Sequence, residues 1–206
     1  MQKKLFLSLA IIVVVLSGCS SSQSMPNAVK VEAMNPKKYE LLKVAGITNS
    51  LGFNLTVPEA QKTGRLSYSI DHYKNGQMAE ENTPTLMSPV DSNVQNIEIY
   101  FSSLNFNQGD EHGQWVLAIR QIQQDGEVLV TTSSEIAFDE SKQQTLTPIQ
   151  EEATFQENQE VPIGIMLIDP NVFDSPVYPT DITRIAKASK EAYVLKVKLT
   201  DLTTNP

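Results

Sequence analysis

Residues 115–132 read WVLAIRQIQQDGEVLVTT, and this stretch decides the fold class. Two arms rich in valine, isoleucine and leucine flank Asp125-Gly126, a dipeptide that favours the tight turn of a β-hairpin. The first arm, Trp115–Ile122, is apolar on both faces from Val116 to Ile119, which predicts an interior strand of a sheet. The second arm is Glu127–Thr132. The stretch therefore predicts two adjacent antiparallel strands.

The same period-two alternation of apolar and polar residues recurs along the chain. Asn75-Gly76 marks a second tight turn, because both residues tolerate the positive φ values of a type I′ hairpin. Further strands are predicted at Leu66–Tyr73, Gln77–Glu80, Val94–Phe101, Val161–Ile168 and Tyr193–Leu199, with weaker ones at Gly52–Val57, Glu135–Phe138 and Ala153–Gln156.

Helix is scarce in this pattern. One short helix is predicted to begin at Asn35-Pro36 and end at Gly46, with a strand at Tyr39-Glu40-Leu41 as the alternative. Another is predicted after a cap at Thr180 or Asp181, with its apolar face formed by Ile182, Ile185 and Ala186. Many short strands with regular turn signals predict a mainly β, two-layer antiparallel β-sandwich. An immunoglobulin-like sandwich is one form of this prediction, and a β-barrel is the alternative.

The N-terminus carries a separate signal. Lys3 and Lys4 precede an apolar run that ends at Leu16, and this run is shorter than the roughly 20 residues of a membrane span. It continues into Leu16-Ser17-Gly18-Cys19, which resembles the lipobox of bacterial lipoproteins. The resemblance implies a diacylglyceryl group on the Cys19 sulfur and cleavage between Gly18 and Cys19. Two acyl chains are enough for a stable anchor.

These patterns divide the chain into three parts. Residues 1–18 are the expected lipoprotein signal peptide, and residues 19–36 are the lipidated N-terminus and a serine-rich flexible tether. Residues 37–206 form a single β-sandwich domain, in which no motif resembles a known family. The expected location is extracytoplasmic, at the cell membrane or the outer membrane, and the sequence does not separate these two destinations.

Composition excludes several partners and chemistries. The formal net charge is −8, and removal of Lys3 and Lys4 with the leader makes it −10. An acidic body repels nucleic acid and anionic lipid, so the expected contact with the membrane is the lipid on Cys19. Because Cys19 is the only cysteine, a disulfide, a cysteine nucleophile and a thiolate metal site are all excluded.

Neither histidine predicts a catalytic site. His72 and Asp71 lie on opposite faces of a predicted strand, and His72 is interpreted as a partly buried sheet residue. His112 is placed in a polar connection between two strands. The sequence contains no Gly-x-Ser-x-Gly elbow, phosphate loop or His-Glu-x-x-His motif. It therefore predicts no enzyme and no cofactor.

A metal site is also not predicted. Asp91, Asn93 and Gln95 place oxygen ligands at alternate positions, as the start of a calcium loop does. Asn96 stands where that loop needs glycine, and Ser102 stands where it needs the closing glutamate.

The best candidate for ligand binding is the long segment from Asp169 to Glu191, since long structured connections are often functional. Phe173 and Tyr178 are predicted to form an aromatic lip, with Asp174 as a nearby carboxylate. The competing interpretation is that both rings pack the segment against the sandwich.

The expected function is a binding or interaction module at the cell envelope, with an envelope protein or polymer as partner. One alternative is a structural or envelope-stress lipoprotein without a ligand. Another is an envelope hydrolase that uses the carboxylates of Asp169, Asp174 or Asp181.

The anchor makes a direct prediction. Cys19→Ala should block incorporation of lipid label and leave the uncleaved precursor, because only a thiol accepts the thioether-linked lipid. Labelling with a radioactive fatty acid and mass spectrometry of the extracted chain measure both effects. Ser20→Ala serves as the control and should be labelled and cleaved normally. Normal labelling of Cys19→Ala would contradict the prediction.

Overall fold

The computed structural model describes residues 28–40, 49–58, 64–79, 85–90, 94–104, 112–137, 144–149, 152–169 and 177–201. These ranges contain twelve strands and one short α-helix, α1 (Ile182–Ala188). The strands are β1 (Val29–Ala33), β2 (Asn49–Thr56), β3 (Gly64–Lys74), β4 (Gln77–Met78), β5 (Thr85–Pro89), β6 (Val94–Leu104), β7 (His112–Gln123), β8 (Gly126–Ala137), β9 (Gln144–Pro148), β10 (Ala153–Phe155), β11 (Glu160–Ile168) and β12 (Glu191–Asp201).

The strands form two antiparallel sheets. Sheet I has the order β10-β1-β2-β6-β7-β8, and sheet II has the order β4-β3-β12-β11-β9, with β5 also paired to β3. Neither sheet closes on itself within the described ranges, so the predicted two-layer sandwich is confirmed over the barrel. The strand order differs from the ABED and CFG order of an immunoglobulin constant domain.

One apolar core lies between the sheets. Alternate residues of β6 point into it, and Ile97 and Ile99 are fully buried. Gly164 on β11 faces the same core, where an added Cβ would lie 2.8 Å from Leu51 Cδ1 and 3.3 Å from Phe53 Cζ. Glycine at this position therefore allows the side chains of sheet I to pack directly on the backbone of β11.

Both predicted hairpins are present. Asn75 and Gly76 have φ angles of 52° and 78°, as a type I′ turn requires. In the second hairpin Gln123 pairs with Gly126, so the turn residues are Gln124 and Asp125, and Gly126 begins β8. The predicted turn was therefore one residue too late.

The predicted boundary of the body at residue 37 was wrong. Val29–Ala33 falls within the predicted tether, yet it pairs with β2 on one side and with β10 on the other. Val29 and Val31 are fully buried in the core. The folded body has therefore begun by Ala28, and its first strand is an interior strand of sheet I.

Two other predictions need correction. His112, which was expected in a polar connection, is the first residue of β7 and pairs with Ala137. The predicted strands at Glu127–Thr132 and Glu135–Phe138 are one continuous strand, β8, within the described ranges.

The second predicted helix is confirmed as α1, whose buried residues are Ile182, Ile185 and Ala186. Asp181, one of the two predicted capping residues, is the N-cap residue, but its side chain makes no capping hydrogen bond and lies 3.0 Å from Arg184 Nη2. At Asn35, the chain forms a 3₁₀ turn over Pro36–Tyr39. The rest of that predicted helix, residues 41–46, lies outside the described residues.

His72 is a buried sheet residue, as predicted. Its ring stacks on Tyr193 with 4.3 Å between centroids, and His72 Nε2 lies 3.1 Å from Glu191 Oε1. Asp71 contacts Lys196 on the opposite face of β3. Tyr193 also lies 5.8 Å from the Trp115 ring of sheet I, so this aromatic group joins the two sheets.

A small apolar cavity of about 30 Å³ lies between the sheets, beside the β5 and β8 edges. Its walls include Tyr68, Leu86 and Thr132. The Tyr68 hydroxyl is buried and has no hydrogen-bond partner among the described residues. Burial raises the pKa of Tyr68. An unsatisfied buried hydroxyl destabilises a fold, so Tyr68 marks a weak point in the core.

Tyr68→Phe should raise the free energy of unfolding by about 1 kcal/mol, because it removes a buried hydroxyl without a partner and keeps the ring. Tyr193→Phe is the matched control. Its hydroxyl donates to Glu191 Oε1 over 3.2 Å, so its loss should lower the free energy of unfolding by about 1 kcal/mol. Urea unfolding measures both changes. A loss of stability in Tyr68→Phe equal to that of the control would refute this account.

Candidate functional site

A surface groove of about 470 Å³ lies where the β10 edge of sheet I meets the start of β11 in sheet II. We call it the Tyr178 groove. It is lined by Glu152, Ala153, Thr154, Gln159, Glu160, Val161, Pro162, Tyr178, Pro179 and Thr180.

A tight turn next to the groove carries the chain from sheet I to sheet II and contributes Gln159 to the lining. Asn158 adopts a left-handed conformation with φ of 63°, and its N–H donates to Leu199 O over 2.7 Å. The N–H of Gln159 donates to Gln156 O over 3.1 Å. These bonds fix Gln159 and Glu160 relative to β12. Asparagine suits this turn because it tolerates positive φ better than most residues.

Tyr178 lines the groove and lies in the chain between two anchored residues. Val177 and Ile182 are both fully buried. The N–H of Asp181 donates to Tyr178 O over 2.9 Å, which closes a turn at the groove rim. The Tyr178 side chain is 36% exposed. A large ring is therefore held partly in solvent by a backbone that is fixed at both ends.

Glu160 supplies a fixed negative charge at the groove. Its carboxylate accepts hydrogen bonds from Ser69 Oγ at 2.9 Å and from Lys196 Nζ at 3.0 Å. Burial alone would raise the pKa of Glu160, but these two hydrogen bonds outweigh it and lower the pKa. Burial likewise opposes the charge of Lys196, yet its hydrogen bonds to Asp71 and Glu160 raise its pKa. Glu160 is therefore ionised at neutral pH.

The remaining polar groups of the groove are one ion-paired carboxylate and several hydroxyl and amide groups. Glu152 pairs with Lys30 over 3.2 Å at an exposed position. Thr154, Thr180 and Gln159 add hydroxyl and amide groups to the lining. The set offers an aromatic face surrounded by hydrogen-bond donors and acceptors, with its carboxylates already balanced by lysines. This chemistry suits recognition of a neutral, hydroxyl-rich ligand.

Of the residues predicted from the sequence, Tyr178 lies in the groove. Phe173, Asp174 and Cys19 lie outside the described residues. Asp169 is an exposed residue after β11, and Asp181 is bound by Arg184. These two aspartates do not line the groove.

Sequence reasoning missed Glu152 and Glu160. The weak strand predicted at Ala153–Gln156 and the strong one predicted at Val161–Ile168 bracket this part of the site. Their separation by a few polar residues indicates a tight connection. The sequence does not indicate that the first strand belongs to sheet I and the second to sheet II. The passage of the chain from one sheet to the other creates the groove.

Within the described ranges, no group of three His, Cys, Asp or Glu side chains is arranged so that it could bind a metal ion. Asp91 and Asn93, the first residues of the calcium-like pattern, lie outside those ranges. None of the described helices has both the length and the apolar character needed to cross a bilayer.

The fold and the groove define the chain as a two-layer β-sandwich protein with a surface groove at the junction of its sheets. The chain belongs to the YgaN domain family, which matches it over residues 28–199. This assignment supplies the family that the sequence alone did not indicate, and the match includes β1. No curated protein and no solved structure matches the chain.

The Glu160 contacts predict a specific pH dependence. Because its folded pKa lies below the ordinary value of 4.5, Glu160 stabilises the fold above that pH. This stabilisation should be lost as the pH falls through the folded pKa. Carboxyl NMR titration should place the Glu160 pKa below 4.5, and Ser69→Ala should move it upward. Ser67→Ala is the control and should leave the titration unchanged. A Glu160 pKa at or above 4.5 in the unchanged chain would contradict the prediction.

Proposed function

We propose that this chain is a lipid-anchored extracytoplasmic binding module whose Tyr178 groove takes a hydroxyl-rich polymer of the cell envelope. The lipid would be carried by Cys19. The proposal assigns the chain no catalytic step, no cofactor and no nucleic-acid partner.

The single observation that carries the proposal is the exposed Tyr178 ring within a lining of hydroxyl, amide and carboxylate groups. A sugar ring has an apolar face that packs on an aromatic ring and hydroxyl groups that exchange hydrogen bonds around its edge. The groove is also open and of a size typical of ligand sites, which run from about 300 to 1,000 Å³. An extended polymer can therefore lie along it without being enclosed.

The location rests on the leader. Lys3, Lys4, the apolar run and the lipobox-like Leu16-Ser17-Gly18-Cys19 all favour export and lipidation. The family match begins at residue 28, so these residues precede the shared domain. Because the body is acidic and repels anionic lipid headgroups, the acyl chains on Cys19 would supply the attachment to the membrane.

The groove favours binding over the two alternatives. A structural lipoprotein without a ligand needs no such groove. A carboxylate-based hydrolase needs an acid and a base or nucleophile about 5–10 Å apart across a cleft. The described carboxylates of the groove, Glu152 and Glu160, are instead held in ion pairs with Lys30 and Lys196.

Tyr178→Ala should weaken binding of the full chain to purified cell-wall sacculi by about tenfold, because it removes the exposed aromatic contact. The chain is processed in a bacterial host, extracted in detergent and sedimented with sacculi at a series of concentrations. Sacculi from one Gram-positive and one Gram-negative species are both used.

Leu129→Ala is the matched control. It truncates a large exposed side chain that is 65% exposed on β8 and does not line the groove. Its binding should equal that of the unchanged chain. Equal binding by Tyr178→Ala, or equal losses in both variants, would refute the proposed role of the groove.

A further inference from the structure

Strand β8 forms one edge of sheet I. Within the part of the chain that the structure describes, its only strand neighbour is β7. It runs for twelve residues, which corresponds to about 40 Å of extended chain. Both of its faces reach solvent, as Val128 is 42% exposed and Leu129 is 65% exposed. An edge strand carries a row of main-chain donors and acceptors on its outer side, and no described strand pairs with this row in β8.

The other described edge strands carry the features by which natural sheets block strand addition. β4 has two residues and β10 has three. β5 and β9 have five residues each and contain Pro89 and Pro148. β8 is long and contains no proline, lysine or arginine. Its charged residues are Glu127 and Glu135, and among these edges it alone is both long and free of proline.

The two sides of the sandwich also differ. At the β9 and β10 side, the Ile149 N–H donates to Ile163 O over 3.1 Å, and the turn around Asn158 joins the sheets. At the β8 side lies the apolar cavity, between Thr132 of β8 and Leu86 of β5. A strand added to β8 would extend sheet I past this cavity and present alternate side chains toward it.

Charge indicates which kind of strand fits. In the described part of the β7–β8 hairpin, residues 121–137 include three acidic residues, Asp125, Glu127 and Glu135, and no basic residue. Glu127 is paired with Arg120 of β7. A second copy would bring the same acidic stretch against itself, and the whole chain is acidic. A cationic segment meets a complementary charge instead.

From these observations we infer that β8 is a strand-addition site for an extended segment of a partner protein in which apolar residues alternate with lysine or arginine. Main-chain hydrogen bonds to β8 supply the affinity, and the alternate side chains supply the specificity. This site is separate from the Tyr178 groove and does not depend on the function proposed for it.

The test uses a fluorescent peptide of about ten residues that alternates valine and lysine, titrated onto the full chain in detergent. Two companion peptides separate the contributions. In one, alternate amides are N-methylated, which removes the donors of one edge. In the other, glutamate replaces lysine. Fluorescence anisotropy should show binding of the first peptide and binding weaker by about tenfold or more for each companion.

Leu129→Lys should weaken binding of the valine–lysine peptide by about tenfold, because it places an edge-blocking cation on β8. Met78→Lys is the matched control, since it makes the same charge change at a methionine that is 59% exposed on β4. Met78→Lys and Tyr178→Ala should both bind the peptide as the unchanged chain does.

Three results would overturn the inference. The first is that the N-methylated peptide binds as tightly as its parent, which would leave charge alone as the cause. The second is that Leu129→Lys and Met78→Lys lose binding equally. The third is that sedimentation shows a dimer of the unchanged chain that Leu129→Lys dissociates, which would make a second copy the occupant of β8.

Discussion

The connection from β10 to β11 is the constraint on which the candidate site depends. In four residues the chain leaves sheet I and enters sheet II, so β10 at the edge of sheet I must lie close to the start of β11 in sheet II. Asn158 meets this requirement with a left-handed backbone and a hydrogen bond to Leu199 O. The opposite side has no comparable connection among the described residues. A groove beside the closed side and an apolar cavity at the open side follow from this asymmetry.

Local patterns predicted the strands that are long and strongly alternating. β12 and β11 carry enough valine, isoleucine and leucine for their burial to be evident from the sequence, and Asn75-Gly76 has one favoured conformation. α1 was found because three apolar residues recur at helical spacing. In each case the signal lies within one short segment. The two-layer sandwich follows from the sum of such segments.

Non-local pairing accounts for what the sequence did not predict. β1 has only Val29 and Val31 to mark it, and its burial depends on β2 and β10, which lie far apart in the chain. β5 and β9 contain proline, which argues against a strand unless the strand is known to lie at an edge. Tyr178 was found because it is an aromatic residue in a long polar connection. Glu160 was missed because its role comes from Lys196 and Ser69, which belong to other strands.

The pairing of Val29 with Phe155 also sets where the body can work. The N-terminal end of β1 lies beside the C-terminal end of β10, where the turn that lines one part of the groove begins. Val29 lies ten positions after Cys19, so the two residues are at most about 35 Å apart along a fully extended chain. An acylated cysteine would therefore confine the groove to a thin layer of periplasm or wall just above the lipid headgroups. Confinement of this kind raises the encounter frequency with any polymer in that layer, so even weak capture would be effective.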